Sequence, residues 1–142
     1  MSDRPLGYWL MHIHTGLEAN FAALLRDRGL VRRGWQVLNT LGRGPADLPA
    51  LDRALAHFLD DSEPSVAPQL TPLLARGWLR TDTEGRYVLT ETGRAEYHAV
   101  TELVEAERAA LLEGIGPEGY RTLIRLLERV SGNVDALAAA RR

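Results

Sequence analysis

The chain has 142 residues, 45% of them hydrophobic and 25% charged, a formal net charge of −2 and no cysteine. That length can bury one core without covalent staples, and the missing thiols exclude disulfides, thiolate zinc sites and cysteine nucleophiles. No apolar run approaches the ~18 residues of a membrane span, and His12 and His14 interrupt the one candidate leader, residues 1–14, so a cytoplasmic protein is expected.

All 17 basic residues are arginine, so any phosphate contact would be planar and able to be bidentate. Charge is uneven along the chain. Glu96, Glu102, Glu105, Glu107 and Glu113 crowd the stretch 95–113, where Arg108 is the only base, whereas arginines and acids nearly balance across 26–94. The acidic run reads as a solvated helix face. The negative total argues against a strongly basic nucleic-acid domain and shifts weight to where individual arginines stand.

The spacing of Leu6, Leu10, Ile13, Leu17, Phe21 and Leu24 predicts a long helix over 6–28, stopped by Gly29. Trp9 falls at the edge of this stripe, His14 flanks it and His12 lies nearly opposite. A helix apolar beyond one stripe packs on two surfaces, and dimerisation is one way to provide the second. A second helix is predicted over 31–41, with Trp35, Val37, Leu38 and Leu41 inward. A third spans 48–59, capped by Asp47, with Leu51, Leu55, Phe58 and Leu59 inside.

After the break at 60–64, a short fourth helix is predicted over 65–76, with Val66, Leu70, Leu73 and Leu74 inward and Gly77 as its stop. The period then changes to two. Strand-like runs at 78–81 and 86–89 flank the turn Asp82-Thr83-Glu84-Gly85. Thr90 caps a helix over 91–112, and Gly114-Ile115-Gly116 breaks it. Pro117 suits the first turn of a last helix over 117–130, with 131–142 extending or fraying.

Helix, helix, break, helix, hairpin is the order a winged helix-turn-helix requires, the second helix of the pair entering the major groove and the hairpin reaching the adjacent groove or backbone. The fold class is therefore α+β, mainly α. The segment Leu73-Leu74-Ala75-Arg76-Gly77-Trp78-Leu79, the short turn, Gly85-Arg86-Tyr87-Val88-Leu89 and Leu89-Thr90-Glu91-Thr92-Gly93-Arg94 together resemble the MarR family of bacterial regulators. Leu55-Ala56 with Phe58-Leu59, and Arg32-Arg33-Gly34-Trp35-Gln36-Val37-Leu38, are similar to two further family elements, and the resemblance covers about residues 6–130 in order.

The resemblance implies an obligate homodimer of a single domain, 1–142. Its DNA-binding lobe would span 31–90, and helices 6–28 and 91–135 would form the dimerisation stalk. It also implies a transcriptional regulator, a repressor that binds pseudo-palindromic double-stranded DNA and is released by a small aromatic or anionic effector.

The reading helix departs from the family. Many relatives carry an arginine where Pro68 stands, and Pro72 would remove a hydrogen bond mid-helix. Base contacts are left to Gln69 and the hydroxyls of Ser65 and Thr71. The wing is short, with Arg86 at its tip oriented by Asp82 or Glu84 as the best minor-groove contact. Arg32, Arg33 and Arg80 are expected phosphate clamps.

An effector pocket of the family kind would draw on Trp9, His12, Trp35 and Tyr97, with Arg33 for a carboxylate; Trp9 and Trp35 also read as plain packing aromatics. His12 and His14 point about 200° apart on their helix and cannot share an ion within one subunit, and His57 and His98 are isolated, so no metal or cofactor is expected. No phosphate loop, nucleophile elbow or triad appears, so no enzyme is expected. The rival reading is a dimeric interaction or ligand-binding module of winged-helix fold that has lost sequence-specific DNA binding. It draws on Pro68, Pro72 and the net charge of −2.

Overall fold

The computed structural model describes residues 3–142; Met1 and Ser2, the start of the segment read for a leader, lie outside it. Helices α1 (Leu6–Asp27), α2 (Arg32–Leu41), α3 (Leu48–Ala54) and α4 (Ala67–Ala75) precede a hairpin of β1 (Leu79–Thr81) and β2 (Tyr87–Leu89). Two long helices follow, α5 (Glu91–Leu111) and α6 (Gly116–Ala140). The chain divides into two compact units, one ending at Val104 and one spanning Glu105–Arg142, with α5 running from the first into the second.

The first unit holds the core. Leu25 of α1 shares one core with Val37, Leu38 and Leu41 of α2, Leu51 of α3, Leu70 and Leu73 of α4, Leu79 and Leu89 of the strands and Val100 of α5. Helix α2 contributes the stripe its apolar spacing prescribes, with Val37, Leu38 and Leu41 buried. Two helix stops are Schellman turns. Gly29, at φ 70°, lets its own N–H bond Arg26 O and that of Leu30 bond Leu25 O; Gly77, at φ 75°, does the same toward Leu74 O and Leu73 O. In the hairpin Leu79 pairs with Leu89, Arg80 with Val88 and Thr81 with Tyr87. An isolated bridge from Ala46 to Tyr87 ties the α2–α3 turn to the wing.

Three features of the third and fourth helices differ from the sequence expectation. The helix expected over 48–59 ends at Ala54 and tightens into a 3₁₀ turn, Ala56–Phe58, leaving Phe58 44% exposed rather than inside. Long-range bonds account for this: Asp52 of α3 accepts Ser65 Oγ at 2.8 Å and Val66 N at 2.9 Å, so the chain must turn back sharply to deliver residues 65 and 66. Those same bonds hold Ser65 in the turn, and α4 begins at Ala67. Leu74, expected inward, is exposed because Val66, Leu70 and Leu73 fill the buried face.

Pro72 does not end α4, which continues to Ala75. The one bond it cannot make is to the carbonyl of Pro68, on the exposed side, where water can serve instead.

Large apolar residues remain uncovered on α1, where Leu6, Leu10, Ile13 and Leu17 are all exposed. The second unit is one long helix and its lead-in. The tail joins α6 rather than fraying, and Leu123, Leu126, Val134 and Leu137 stand exposed along it. There Arg108 donates to the Tyr120 hydroxyl at 3.2 Å. Among the described residues no helix is long and apolar enough to cross a membrane.

Candidate nucleic-acid interface

The wing is a four-residue turn organised by one carboxylate. Asp82 Oδ1 accepts the backbone N–H groups of Glu84 and Arg86, both at 2.9 Å, and Oδ2 accepts Arg86 Nε at 2.9 Å. Gly85 takes φ 79°, the left-handed conformation that closes the turn without a Cβ penalty. These bonds, the Arg86 backbone N–H foremost, hold the Asp82 carboxyl below its ordinary range. Glu84 Oε2 lies 3.4 Å from the same Nε. Arg86 is thus fixed through Nε alone, while its two terminal amines carry no bond among the described residues. Arg80, on β1, is exposed and has no ion-pair partner among them.

Arg32 and Arg33, the expected phosphate clamps that open α2, are engaged with the protein. Arg32 bonds Glu18 at 2.8 Å and lies 4.7 Å from the centre of the Phe21 ring. Arg33 reaches Glu63 at 2.7 Å and Gln36 at 2.8 Å, and its side chain is only 19% exposed. Glu63 belongs to an acidic turn in which Asp60 Oδ1 accepts Ser62 N, Ser62 Oγ and Glu63 N. The Ser62 hydroxyl bond is the largest cause of the lowered pKa at Asp60. Arg33 therefore clamps the α3–α4 turn against α2.

On α4, Thr71 is exposed and Gln69 half-buried. Gln69 lines a cavity of about 160 Å³ together with Gly29, Leu30, Gly34, Leu73 and Arg76. Ser65 donates its hydroxyl to Asp52 and accepts Ala67 N at 3.1 Å. Asp52 was not singled out from sequence. Its partners stand 13 and 14 residues away, and no local pattern announces them.

The lobe is docked on α5 by a second device. Thr90 Oγ1 donates to Gly77 O at 2.5 Å and accepts Gly93 N at 3.0 Å, and Thr90 N donates to Trp78 O at 3.0 Å. Arg28, just past α1, forms a bidentate pair with Glu96 of α5 at 2.8 and 2.9 Å.

The five expected effector-pocket residues do not form one cluster. Trp35 stacks on Tyr97 at 5.7 Å, with Gly42 so close that a Cβ there would lie 2.6 Å from the Tyr97 ring. Trp9 meets His12 edge-on at 6.3 Å, both exposed on α1. Arg33 is turned to Glu63. Among the described residues no three metal-ligating side chains gather.

No family model matches the chain. No curated protein matches it either. Solved structures do. A probable transcriptional regulator from Pseudomonas aeruginosa superposes with a TM-score of 0.60 at 26% identity, covering 90% of this chain and 98% of that one. A MarR family protein from Mycobacterium tuberculosis superposes at 0.67 and 25% identity, covering 92% and 96%. The same Mycobacterium protein in complex with DNA gives 0.67 and 26%, covering 90% and 98%, and it has also been solved with p-aminosalicylic acid.

The helix pair α3–α4, the hairpin that follows and these neighbours define a winged helix-turn-helix protein. Within that class, the chain is similar to a MarR family protein solved alone and with DNA.

Proposed function

We propose that the chain is a dimeric transcriptional repressor that binds pseudo-palindromic duplex DNA through α4 and the β1–β2 wing, and that a small aromatic or anionic effector releases it. The observation that carries the reading is the wing tip. Arg86, oriented by Asp82 through Nε, offers its terminal amines outward, with exposed Arg80 on the neighbouring strand. Such a planar donor suits a narrow minor groove or a phosphate. The Mycobacterium tuberculosis neighbour solved with DNA supports it.

A second copy is the natural cover for the apolar faces of α1 and α6, and a two-fold dimer calls for a two-fold operator. The Trp35–Tyr97 stack and the Trp9–His12 pair are aromatic surfaces suited to an effector, and the neighbour holding p-aminosalicylic acid supports that class. Arg33 would have to leave Glu63 to meet its carboxylate. On this reading the protein works in the cytoplasm and catalyses no reaction, which the regulator neighbours support.

Fluorescence anisotropy titration of the protein with the DNA upstream of its own gene, at low and moderate salt, tests this. Binding that weakens linearly on a log–log plot against salt supports the reading. Absence of binding at every salt concentration favours the interaction module instead, for which the charge-free α4 speaks.

A further inference from the structure

Resting on the reading that α4 enters the major groove, we propose that it recognises thymine methyl groups rather than hydrogen-bonding base edges. The solvent face of α4 is built from Pro68, Thr71, Pro72 and Ala75, all exposed, and no residue of Ala67–Ala75 carries a charge. Of the polar side chains bordering this face, Ser65 and Gln69 are half-buried and Arg76 is exposed beside Trp78. Ser65 is bonded to Asp52 and to Ala67 N. Gln69 Oε1 lies 3.7 Å from where a Cβ on Gly34 would stand. The Arg76 guanidinium lies over Trp78 at 4.7 Å, its Nη2 2.6 Å from the position of a Cβ on Gly29. One hydroxyl, on Thr71, remains among methyl and pyrrolidine carbons.

Guanine is read by arginine or lysine and adenine by asparagine or glutamine, through donors and acceptors this face does not present. Thymine alone among the bases adds a methyl group to the major groove, and alanine and the threonine methyl are its usual partners. Proline rings suit the same task, since they lose no side-chain rotamer entropy on burial. Each methyl desolvated in this way contributes a factor of about four in affinity, the transfer free energy of one CH₂ group. The half-site under α4 is therefore rich in A·T pairs, with thymine methyls set against Pro68, Thr71 and Pro72.

The test begins with selection of duplexes from a random-sequence pool by the full-length protein. Thymines of a recovered half-site are then replaced singly by deoxyuridine, which keeps pairing and every hydrogen-bonding group and removes only the methyl. Expected are A·T-rich half-sites, a loss of about fourfold in affinity at one or more replaced positions, and no loss at thymines outside the half-site. In Thr71→Ser, which keeps the hydroxyl and drops the methyl, one of those losses disappears. Full affinity on a half-site carrying only deoxyuridine, or half-sites built on guanine, overturns the proposal and leaves DNA binding standing. Recovery of no duplex overturns both.

Discussion

Gly93, in the first turn of α5, lies directly against the carbonyl of Trp78: a Cβ there would stand 2.0 Å from the oxygen and 2.8 Å from the carbon. The obstacle is backbone, which has no rotamer by which to move aside. The same carbonyl accepts Thr90 N, and Thr90 caps Gly93 N. The Leu-Thr-x-x-Gly step is thus the joint between wing and long helix, Thr supplying the cap and Gly the clearance.

Gly93→Ala is expected to destabilise the fold by about 1–3 kcal/mol, as overpacking does. Thermal unfolding followed by circular dichroism checks it; a melting temperature equal to the parent's would mean that the joint opens freely.

Asp52→Ala removes both acceptors that start α4. The expected cost is about 1–2 kcal/mol, the loss of a capping carboxylate. Hydrogen exchange at Val66 should accelerate with it, while exchange at Val100, remote on α5, should follow global stability alone. Equal acceleration at both would remove Asp52's special hold on the turn.

Arg86→Ala should weaken operator binding and flatten its salt dependence by about one unit of slope. A change in affinity with no change in slope would instead assign Arg86 to a base or sugar contact.

The wing should respond to acid in a defined direction. Asp82 titrates below its ordinary 3.8 because the folded turn stabilises the carboxylate, so its contribution is fully present above the unfolded value. That contribution is lost as pH falls through the lower folded value. The Arg86 amide resonance should therefore hold its folded position down to about pH 4 and move only below it, and Asp82→Asn should abolish that movement. A transition centred above pH 4 in the parent would contradict the assignment.

The Arg28–Glu96 pair joins the end of α1 to α5 with two parallel hydrogen bonds. A double-mutant cycle with Arg28→Ala and Glu96→Ala should give a coupling of about 1 kcal/mol, above that of a single exposed ion pair. Additive single effects would reduce it to a surface contact.

Much of this molecule was legible in the chain alone. Apolar spacing, Gly29 and Gly77 as helix stops, Asp47 and Thr90 as caps and the Asp82–Gly85 turn place every long helix and the hairpin, because each depends on residues within a turn or two of one another. Periodicity failed where distant bonds outrank it: Asp52 draws 65 and 66 back and cuts the third helix short at Ala54.

Length, composition and residue spacing determined that the chain folds as a winged helix-turn-helix, since hydrophobic period and helix punctuation are local properties. Only the tertiary structure decided which polar side chains remain available to a ligand. Arg33 is taken by Glu63 at 30 residues' separation, Ser65 by Asp52 at 13, and Arg28 by Glu96 at 68. Arg86, by contrast, is held by an acid of its own turn, with its side chain 42% exposed. A charged or hydroxyl group takes whatever partner the fold brings within 3 Å of it, and that choice is written in contacts no stretch of sequence contains.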